Sequence, residues 1–336
     1  MRNQAVILRS RPTGIAQAEH FAIKDVPIAA PEAGEILVRN AFLSVEPAMR
    51  GWIADAANYS EPVPIGSVMC ALAVGRVVTS RHPDYQEGDA VSGWFGWQTY
   101  ATVKAEAVVR KIKELDLPLS LSLGVLGING VTAHLALTLI GEPKPGELVL
   151  VSTAAGAVGS AVGQIAKILG CRTVGIAGGP EKVRLCIEDF GYDSALNYRT
   201  DDLETGISAA CPKGVDIYFD NTAGPISDIA YRHLARGARV VVCGTASVPS
   251  WSHPRVERHL LVKRVRMQGF VIFDHMDRYE SSVAQLADWV RADRLRYRED
   301  ILDGIEACPD ALAGLYRGEN LGKRLIRLSQ TSESGR

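Results

Sequence analysis

Gly156, Gly159 and Gly163 close the run Val149-Leu-Val-Ser-Thr-Ala-Ala-Gly-Ala-Val-Gly-Ser-Ala-Val-Gly163. Residues of this type at this spacing suit the binding of an anion. Gly156 permits a sharp turn, Gly159 lets backbone approach a diphosphate with no Cβ in the way, and Gly163 lets the following helix pack closely on a sheet. The amides exposed at the start of that helix then face the negative charge. A glycine-rich turn without a ligand is the bland alternative. The apolar strand before it, the helix after it and the strand–helix alternation that follows together select a dinucleotide site.

The next strand bears on which dinucleotide. An NAD site places an acidic residue at the end of its second strand, to bind the ribose 2′-hydroxyl. Here that strand ends Gly175-Ile-Ala-Gly-Gly179, with no acid, and Lys182 follows one short turn later. A cation near a 2′-phosphate favours NADP(H). Taken alone, Lys182 also reads as an ordinary exposed helix lysine, and its neighbour Glu181 is a carboxylate that an NAD site could use. The missing acid tips the reading to NADPH.

These residues need a scaffold, and the pattern along the chain supplies one. Residues 1–125 read as β-rich, with candidate strands Gln4–Leu8, Glu35–Phe42, Ala71–Thr79 and Val91–Val103 between turn clusters such as Ala33-Gly34 and Gln86-Glu-Gly-Asp89. Leu121–Ile140 is apolar at mixed helical spacing and predicts a buried helix. Strands Glu147–Thr153, Arg172–Ala177, Ser194–Tyr198, Asp216–Asp220 and Arg239–Cys243 then alternate with helical stretches, among them Ala157–Leu169 and Glu181–Phe190. That period means a parallel sheet with crossover helices. Ile301–Arg317 looks helical, Lys323–Leu328 a final strand, and Ser329–Arg336 a frayed tail.

Composition removes other classes. The 336 residues are 47% hydrophobic and 22% charged, with a net charge of −1. Neither a nucleic-acid binder nor a disordered chain has that balance. No apolar run is long enough for a membrane span and no secretory leader is evident, so the expected address is the cytoplasm. The six cysteines form no Cys-x-x-Cys pair and read as small buried apolar residues.

The motifs Gly124-Val-Leu-Gly-Ile-Asn-Gly-Val-Thr-Ala-His134, Ala154-Ala-Gly-Ala-Val-Gly159 and Gly175-Ile-Ala-Gly-Gly-Pro-Glu-Lys182 occur with Ser44-Val-Glu-Pro-Ala-Met-Arg50, Gly93-Trp-Phe-Gly-Trp-Gln98, Asp216-Ile-Tyr-Phe-Asp-Asn221, Gln268-Gly-Phe-Val-Ile272 and Gly318-Glu-Asn-Leu-Gly-Lys323. Spread over nearly the whole chain, they resemble the zinc-independent branch of the medium-chain dehydrogenase/reductase superfamily. That branch includes prostaglandin reductase, plant 2-alkenal double-bond reductases and bacterial curcumin reductase. The resemblance implies an α/β fold: a GroES-like β-rich catalytic domain, residues 1–125 with 301–336 returning to it, and a doubly wound Rossmann domain, residues 126–300. It implies an active site in the cleft and a homodimer. Ala155, Gly156, Ala157, Val158 and Gly159 would hold the diphosphate, and Gly178, Lys182 and Tyr198 the 2′-phosphate end. Asn221, Cys243, Gly244, Thr245, Ser247, Phe270, Val271, Ile272 and Asn320 would line the nicotinamide half. Singly, Tyr198 also reads as a packed strand-end aromatic, and Asn221 as a turn residue.

The implied reaction is reduction of a carbon–carbon double bond conjugated to a carbonyl, in an enone or enal. A hydride passes from NADPH to the β-carbon, an enolate develops, and a proton reaches the α-carbon. The sequence departs from the family at two tyrosines: Val262 and Ala48 stand in their places. Tyr59, in Ala57-Asn-Tyr-Ser-Glu-Pro62, is the surviving phenol that could meet substrate. Arg50 reads as a structural ion-pair residue, Phe95 and Trp97 as core, and Trp52 and Trp251 as pocket lining. The loss at Ala48 suggests room for a bulky aryl enone. Zinc is not expected, since Val78–Arg110 holds no cysteine and one histidine, His82. A quinone reductase and a non-catalytic NADPH-binding sensor are the alternative functions. An alcohol dehydrogenase is disfavoured for want of a Lewis acid.

Overall fold

The computed structural model describes residues 2–54, 61–244, 263 and 265–328. The chain divides into two compact units, residues 1–123 with 299–336, and residues 124–298.

The first unit is β-rich. β1 (Asn3–Leu8) pairs antiparallel with β2 (Phe21–Val26). β3 (Glu35–Ser44) runs antiparallel to β4 (Ala73–Ser80), which pairs β5 (Ala90–Gly93). β6 (Tyr100–Lys104) pairs the first half of β3, and β7 (Val108–Lys111) pairs β5. The β3–β4 register shifts between Asn40 and Phe42, and such a bulge bends a strand. This lets β3 serve two neighbours on one edge. Val91–Val103, expected as one strand, is broken into β5 and β6. Gly96 between them has φ +73°, and Phe95 and Trp97 turn inward, 1% and 0% exposed. The Trp97 indole N–H donates to the Ser44 carbonyl at 2.9 Å, so the ring is buried without an orphan donor.

In the second unit the expected long helix over Leu121–Ile140 is interrupted. A 3₁₀ turn, Leu119–Leu123, ends the first unit. A helical segment, Ile128–Ala136, then runs into a wider turn, Leu137–Gly141. The chain passes closest at Gly130, where a Cβ would lie 1.8 Å from the Val125 carbonyl. Among the described residues six strands follow: β8 (Leu148–Ser152), β9 (Arg172–Ala177), β10 (Ser194–Asn197), β11 (Val215–Asp220), β12 (Leu234–Val242) and β13 (Arg266–Gly269). All are parallel, in the order β10-β9-β8-β11-β12-β13. The α/β class with a doubly wound sheet is therefore the observed one. The order reverses between β8 and β11, and such sheets bind ligands beyond the carboxyl ends of strands at that reversal.

The chain returns to the first unit as β14 (Glu299–Asp303), where a helix was expected from Ile301, and the helix is confined to Cys308–Arg317. β14 pairs parallel with β15 (Lys323–Arg327), and β15 pairs antiparallel with β3. Arg324–Asp300 and Arg327–Asp303 are ion pairs between register partners. The strand is thus set by a neighbour some twenty residues away, which local periodicity does not reveal.

Candidate functional site

The turn after β8 is built tightly. Thr153 takes φ +54°, a strained conformation for a β-branched residue, and its carbonyl accepts the Gly156 amide at 2.9 Å. A Cβ on Gly156 would lie 2.9 Å from the Thr153 methyl, and one on Gly159 would lie 2.3 Å from the Thr153 carbonyl. Glycine at 159 is therefore required by the chain's own turn, before any ligand is considered. At Gly163, where close packing of the helix on the sheet is expected, the nearest atoms belong to a side chain. A Cβ there would lie 2.1 Å from the ring of Tyr192, whose hydroxyl donates to the Gly159 carbonyl at 2.6 Å. Burial pushes the Tyr192 hydroxyl well above its ordinary range, so it stays a neutral donor. The helix Ala157–Ile168 starts at Gly156 with no side chain capping it. Its first-turn amides lack intrahelical partners. Ala155 is buried, while Ala157 and Val158 are partly exposed.

Beyond β9 and β10, one side chain ties two loops. The Asn197 carboxamide oxygen accepts the amides of Gly179 and Arg199, at 2.9 and 3.2 Å. Gly179 has φ +113°, which only glycine adopts freely. Tyr198 lies over Gly178, where a Cβ would be 2.7 Å from its ring, and it remains 43% exposed. The Arg199 guanidinium lies 5.9 Å from the Tyr198 ring centroid, within cation–π range. Lys182 is partly buried and Glu181 exposed, both in the first turn of the helix Pro180–Glu188.

At the strand-order reversal, β8, β11 and β12 are laced together. Asn221 donates its carboxamide N–H to the Ser152 carbonyl at 2.7 Å, and its amide donates to the Ser152 hydroxyl at 2.8 Å. Asp220 is buried, and its carboxylate accepts the Thr222 and Ala223 amides, both at 2.9 Å, and the Ser227 hydroxyl at 2.7 Å. Its carbonyl accepts the Cys243 and Gly244 amides. A Cβ on Gly244 would lie 2.7 Å from the Asn221 carbonyl. Burial, with the Asp220 charge adding to it, pushes the Cys243 thiol up to about 12, so it is no thiolate at neutral pH. Phe270 is buried and stacks on His275 with centroids 4.9 Å apart. Ile272 is buried, and Val271 is 37% exposed. Thr245, Ser247, Trp251, Val262 and Tyr59 lie outside the described residues.

A family model described as the N-terminal domain of oxidoreductase matches residues 4–111, and one described as zinc-binding dehydrogenase matches residues 157–290. The NADPH-dependent curcumin reductase of Escherichia coli is 42% identical, covering 98% of this chain and 97% of its own. The NADP(+)-dependent 2-alkenal reductase of Nicotiana tabacum is 37% identical, over 98% of each. The crystal structure of CurA from Vibrio vulnificus in complex with NADPH has a TM-score of 0.91 at 38% identity, covering 97% of this chain and 99% of that one. The chain belongs to the medium-chain dehydrogenase/reductase family.

In this family member the β-rich unit carries the remaining residues. Asn320 donates its carboxamide N–H to the Gly322 carbonyl at 2.7 Å. Lys323 is buried and donates to the Ser44 hydroxyl, the Val45 carbonyl and the Glu46 carboxylate, at 2.8, 3.0 and 2.6 Å. Burial pulls the Lys323 ammonium below its ordinary range, with Glu46 opposing. The sequence reading passed over Lys323, Asp220, Asn197 and Arg199, although all four lie in or beside motifs it singled out. Arg50, expected as a structural ion-pair residue, donates to the Gly14 carbonyl at 3.3 Å, and no ion pair is seen for it among the described residues. Trp52, expected as pocket lining, is 6% exposed and packs edge-on to Trp94, 5.4 Å away, within the core cluster of the β-rich unit. Among the described residues no three His, Cys, Asp or Glu side chains group as metal ligands, and no helix is long and apolar enough to cross a membrane.

Proposed function

We propose that this protein is an NADPH-dependent reductase of carbon–carbon double bonds conjugated to a ketone or aldehyde. One observation carries the reading. The Thr153–Gly159 turn follows β8 at the strand-order reversal, beside an acid-free β9 end, in a chain alike over 98% of its length to curcumin and 2-alkenal reductases. The residues fit the cofactor. Small residues and uncapped helix amides at Ala155–Gly159 suit a diphosphate. Lys182, with Tyr198 over Gly178, suits a 2′-phosphate. Asn221, Cys243, Gly244, Thr245, Ser247, Phe270, Val271 and Ile272 are assigned to the nicotinamide half, and Asn320 is assigned with them on its motif alone.

When bound, the dinucleotide supplies the hydride. The chain holds it in register: Asn221 is fixed to Ser152 on both its amide and its carboxamide, and Asp220 fixes the Cys243-Gly244 backbone, so donors near the reacting atoms need not reorganise. The neutral Cys243 thiol adds no competing nucleophile. Tyr59 is the proposed donor to the developing enolate.

The enzyme is proposed to work without zinc, in the cytoplasm and as a homodimer. Support for the dimer comes from β13. Among the described residues it is the sheet's last strand, its four residues are exposed, and Met267, Val271, Phe273 and Met276 leave apolar surface beside it.

The test is NADPH oxidation followed with an enal, an aryl enone and a benzoquinone. Reduction of the enal or enone at the double bond, identified by mass and NMR of the product, supports the reading. Turnover of the quinone alone would replace it with a quinone reductase, and tight NADPH binding without turnover would replace it with a sensor.

A further inference from the structure

β9 and β10 run side by side to their last register pair, Ala177 with Asn197. One more ladder bond follows, from the Tyr198 amide to the Ala177 carbonyl at 3.1 Å. Past that point a side chain takes over from the backbone. The Asn197 carboxamide oxygen accepts the Gly179 amide, from the segment after β9, and the Arg199 amide, from its own segment, at 2.9 and 3.2 Å. Both lone pairs of that oxygen are then in use. Asn197 is itself held firmly. Its amide donates to the Asp201 carboxylate at 2.7 Å, its carbonyl accepts the Thr200 and Asp201 amides at 3.1 and 2.8 Å, and the residue is 8% exposed. The two tied amides adjoin Gly178 and Tyr198. A Cβ on Gly178 would lie 2.7 Å from the Tyr198 ring, so the ring lies close over bare backbone, and Tyr198 stays 43% exposed. Gly179 has open space around it, and its φ of +113° is what requires glycine there.

We propose that Asn197 is a positioning residue for cofactor choice: by tying the Gly179 and Arg199 amides to one oxygen, it holds Tyr198 over Gly178 where a 2′-phosphate is received, and so sets the preference for NADPH over NADH. Asn197 acts through Tyr198 and the Gly178-Gly179 backbone. The two cofactors differ only in that phosphate, and a group that binds by directed hydrogen bonds is sensitive to small displacements of what receives it. The inference rests on the NADPH-binding part of the proposed function and needs no turnover. A protein that binds NADPH but reduces no double bond would sink the reductase reading, while this one is still decided by binding.

The test measures binding of NADPH and of NADH to the full chain by titration calorimetry, for the parent, Asn197→Leu, Asn197→Ser, Tyr198→Leu and the double variant Asn197→Leu/Tyr198→Leu. Asn197→Leu keeps the volume and removes the acceptor. It should weaken NADPH about tenfold and NADH less than about twofold. In Asn197→Ser the shorter hydroxyl can still accept the Arg199 amide two residues on, but falls short of Gly179, so its loss should lie between those of the parent and Asn197→Leu. Once Tyr198→Leu has removed the ring, there is nothing left to position. Adding Asn197→Leu to it should then cost NADPH less than about a further twofold, a coupling that independent sites do not show.

Equal losses for NADPH and NADH would overturn the proposal and leave Asn197 a purely structural residue. A double variant whose loss is the product of the two single losses would overturn it too, by separating Asn197 from Tyr198. If Asn197→Leu does not fold, Asn197→Ser decides by the same contrast between cofactors. A parent that shows no preference for NADPH would sink both this inference and the choice of cofactor beneath it, a result distinct from a selective parent whose selectivity ignores Asn197.

Discussion

The two units solve the positioning of functional groups in different ways. In the parallel-sheet unit the candidate residues lie at the ends of adjacent strands, and backbone does most of the work. Gly156 and Gly159 exist because Thr153 leaves no room for a Cβ, and Asn221 is held by main-chain and hydroxyl groups of Ser152. In the β-rich unit, side chains far apart in sequence hold one another. Lys323 reaches Glu46 across 277 residues, Tyr316 reaches Pro47 across 269, and Ser120 reaches Glu299 across 179. A site made of strand ends is fixed as soon as the sheet forms. A site made of distant side chains depends on each pair.

The sharpest way to break this comparison is Lys323→Met. It leaves the buried Glu46 and Ser44 without their cation, and should destabilise the protein by about 3–5 kcal/mol, read as a fall in denaturation midpoint. If the midpoint stays put, the cluster is not what holds the β-rich unit. Gly159→Ala probes the other unit. A methyl 2.3 Å from the Thr153 carbonyl must open the turn, and NADPH affinity should drop at least about a hundredfold, roughly 2.7 kcal/mol, by titration calorimetry. Retained affinity would mean the turn is not the diphosphate site.

Lys182→Ala should weaken NADPH by about tenfold to a hundredfold and leave NADH unchanged, because only the 2′-phosphate is lost as a partner. Equal losses for both cofactors would remove Lys182 from that role.

The pH response should also differ between the units. For Glu147, burial raises the carboxyl's pKa, but hydrogen bonds from Arg239 and the Lys144 amide, with their charges, more than offset it, and the group lies below its ordinary range. A depressed folded pKa means stability that is full above the unfolded value, near about 4.3, and is lost as pH falls through the folded one. Glu147→Gln should therefore flatten acid denaturation of the parallel-sheet unit. Glu299 is the opposite case: burial pushes its carboxyl up, with Ser120 and Lys323 opposing, and one of its oxygens is buried without a hydrogen-bond partner. A raised carboxyl pKa favours folding below the unfolded value and loses that advantage as pH rises through the folded one. Glu299→Gln should be the smallest effect, a gain under about 1 kcal/mol at neutral pH that vanishes in acid, seen in melts across pH. A loss at neutral pH would show that the charged form is the one the fold wants.

Legibility followed the same division. The strands β8 to β11 could be read from short apolar runs, because a parallel strand buried on both faces is apolar whichever neighbour it has. β14 could not, since Ile301 and Leu302 suit a helix equally well until Arg324 and Arg327 pair with Asp300 and Asp303. The Val91–Val103 run concealed a turn at Gly96 that brings two aromatic rings into the core. The glycines were legible as required, but not the reason for each: Gly163 is matched to Tyr192, a residue on the far side of a crossover.

By itself the sequence determined the sheet-forming alternation, the glycine turn and the missing acid after β9, because each depends on residues within a few positions of one another. The tertiary structure alone decided that Lys323 donates to Ser44 and Glu46, that Asp220 joins three strand ends, and that the Tyr316 hydroxyl reaches the Pro47 carbonyl. Those outcomes depend on which distant surfaces close upon each other, and side-chain contacts of that range leave no periodicity in the chain.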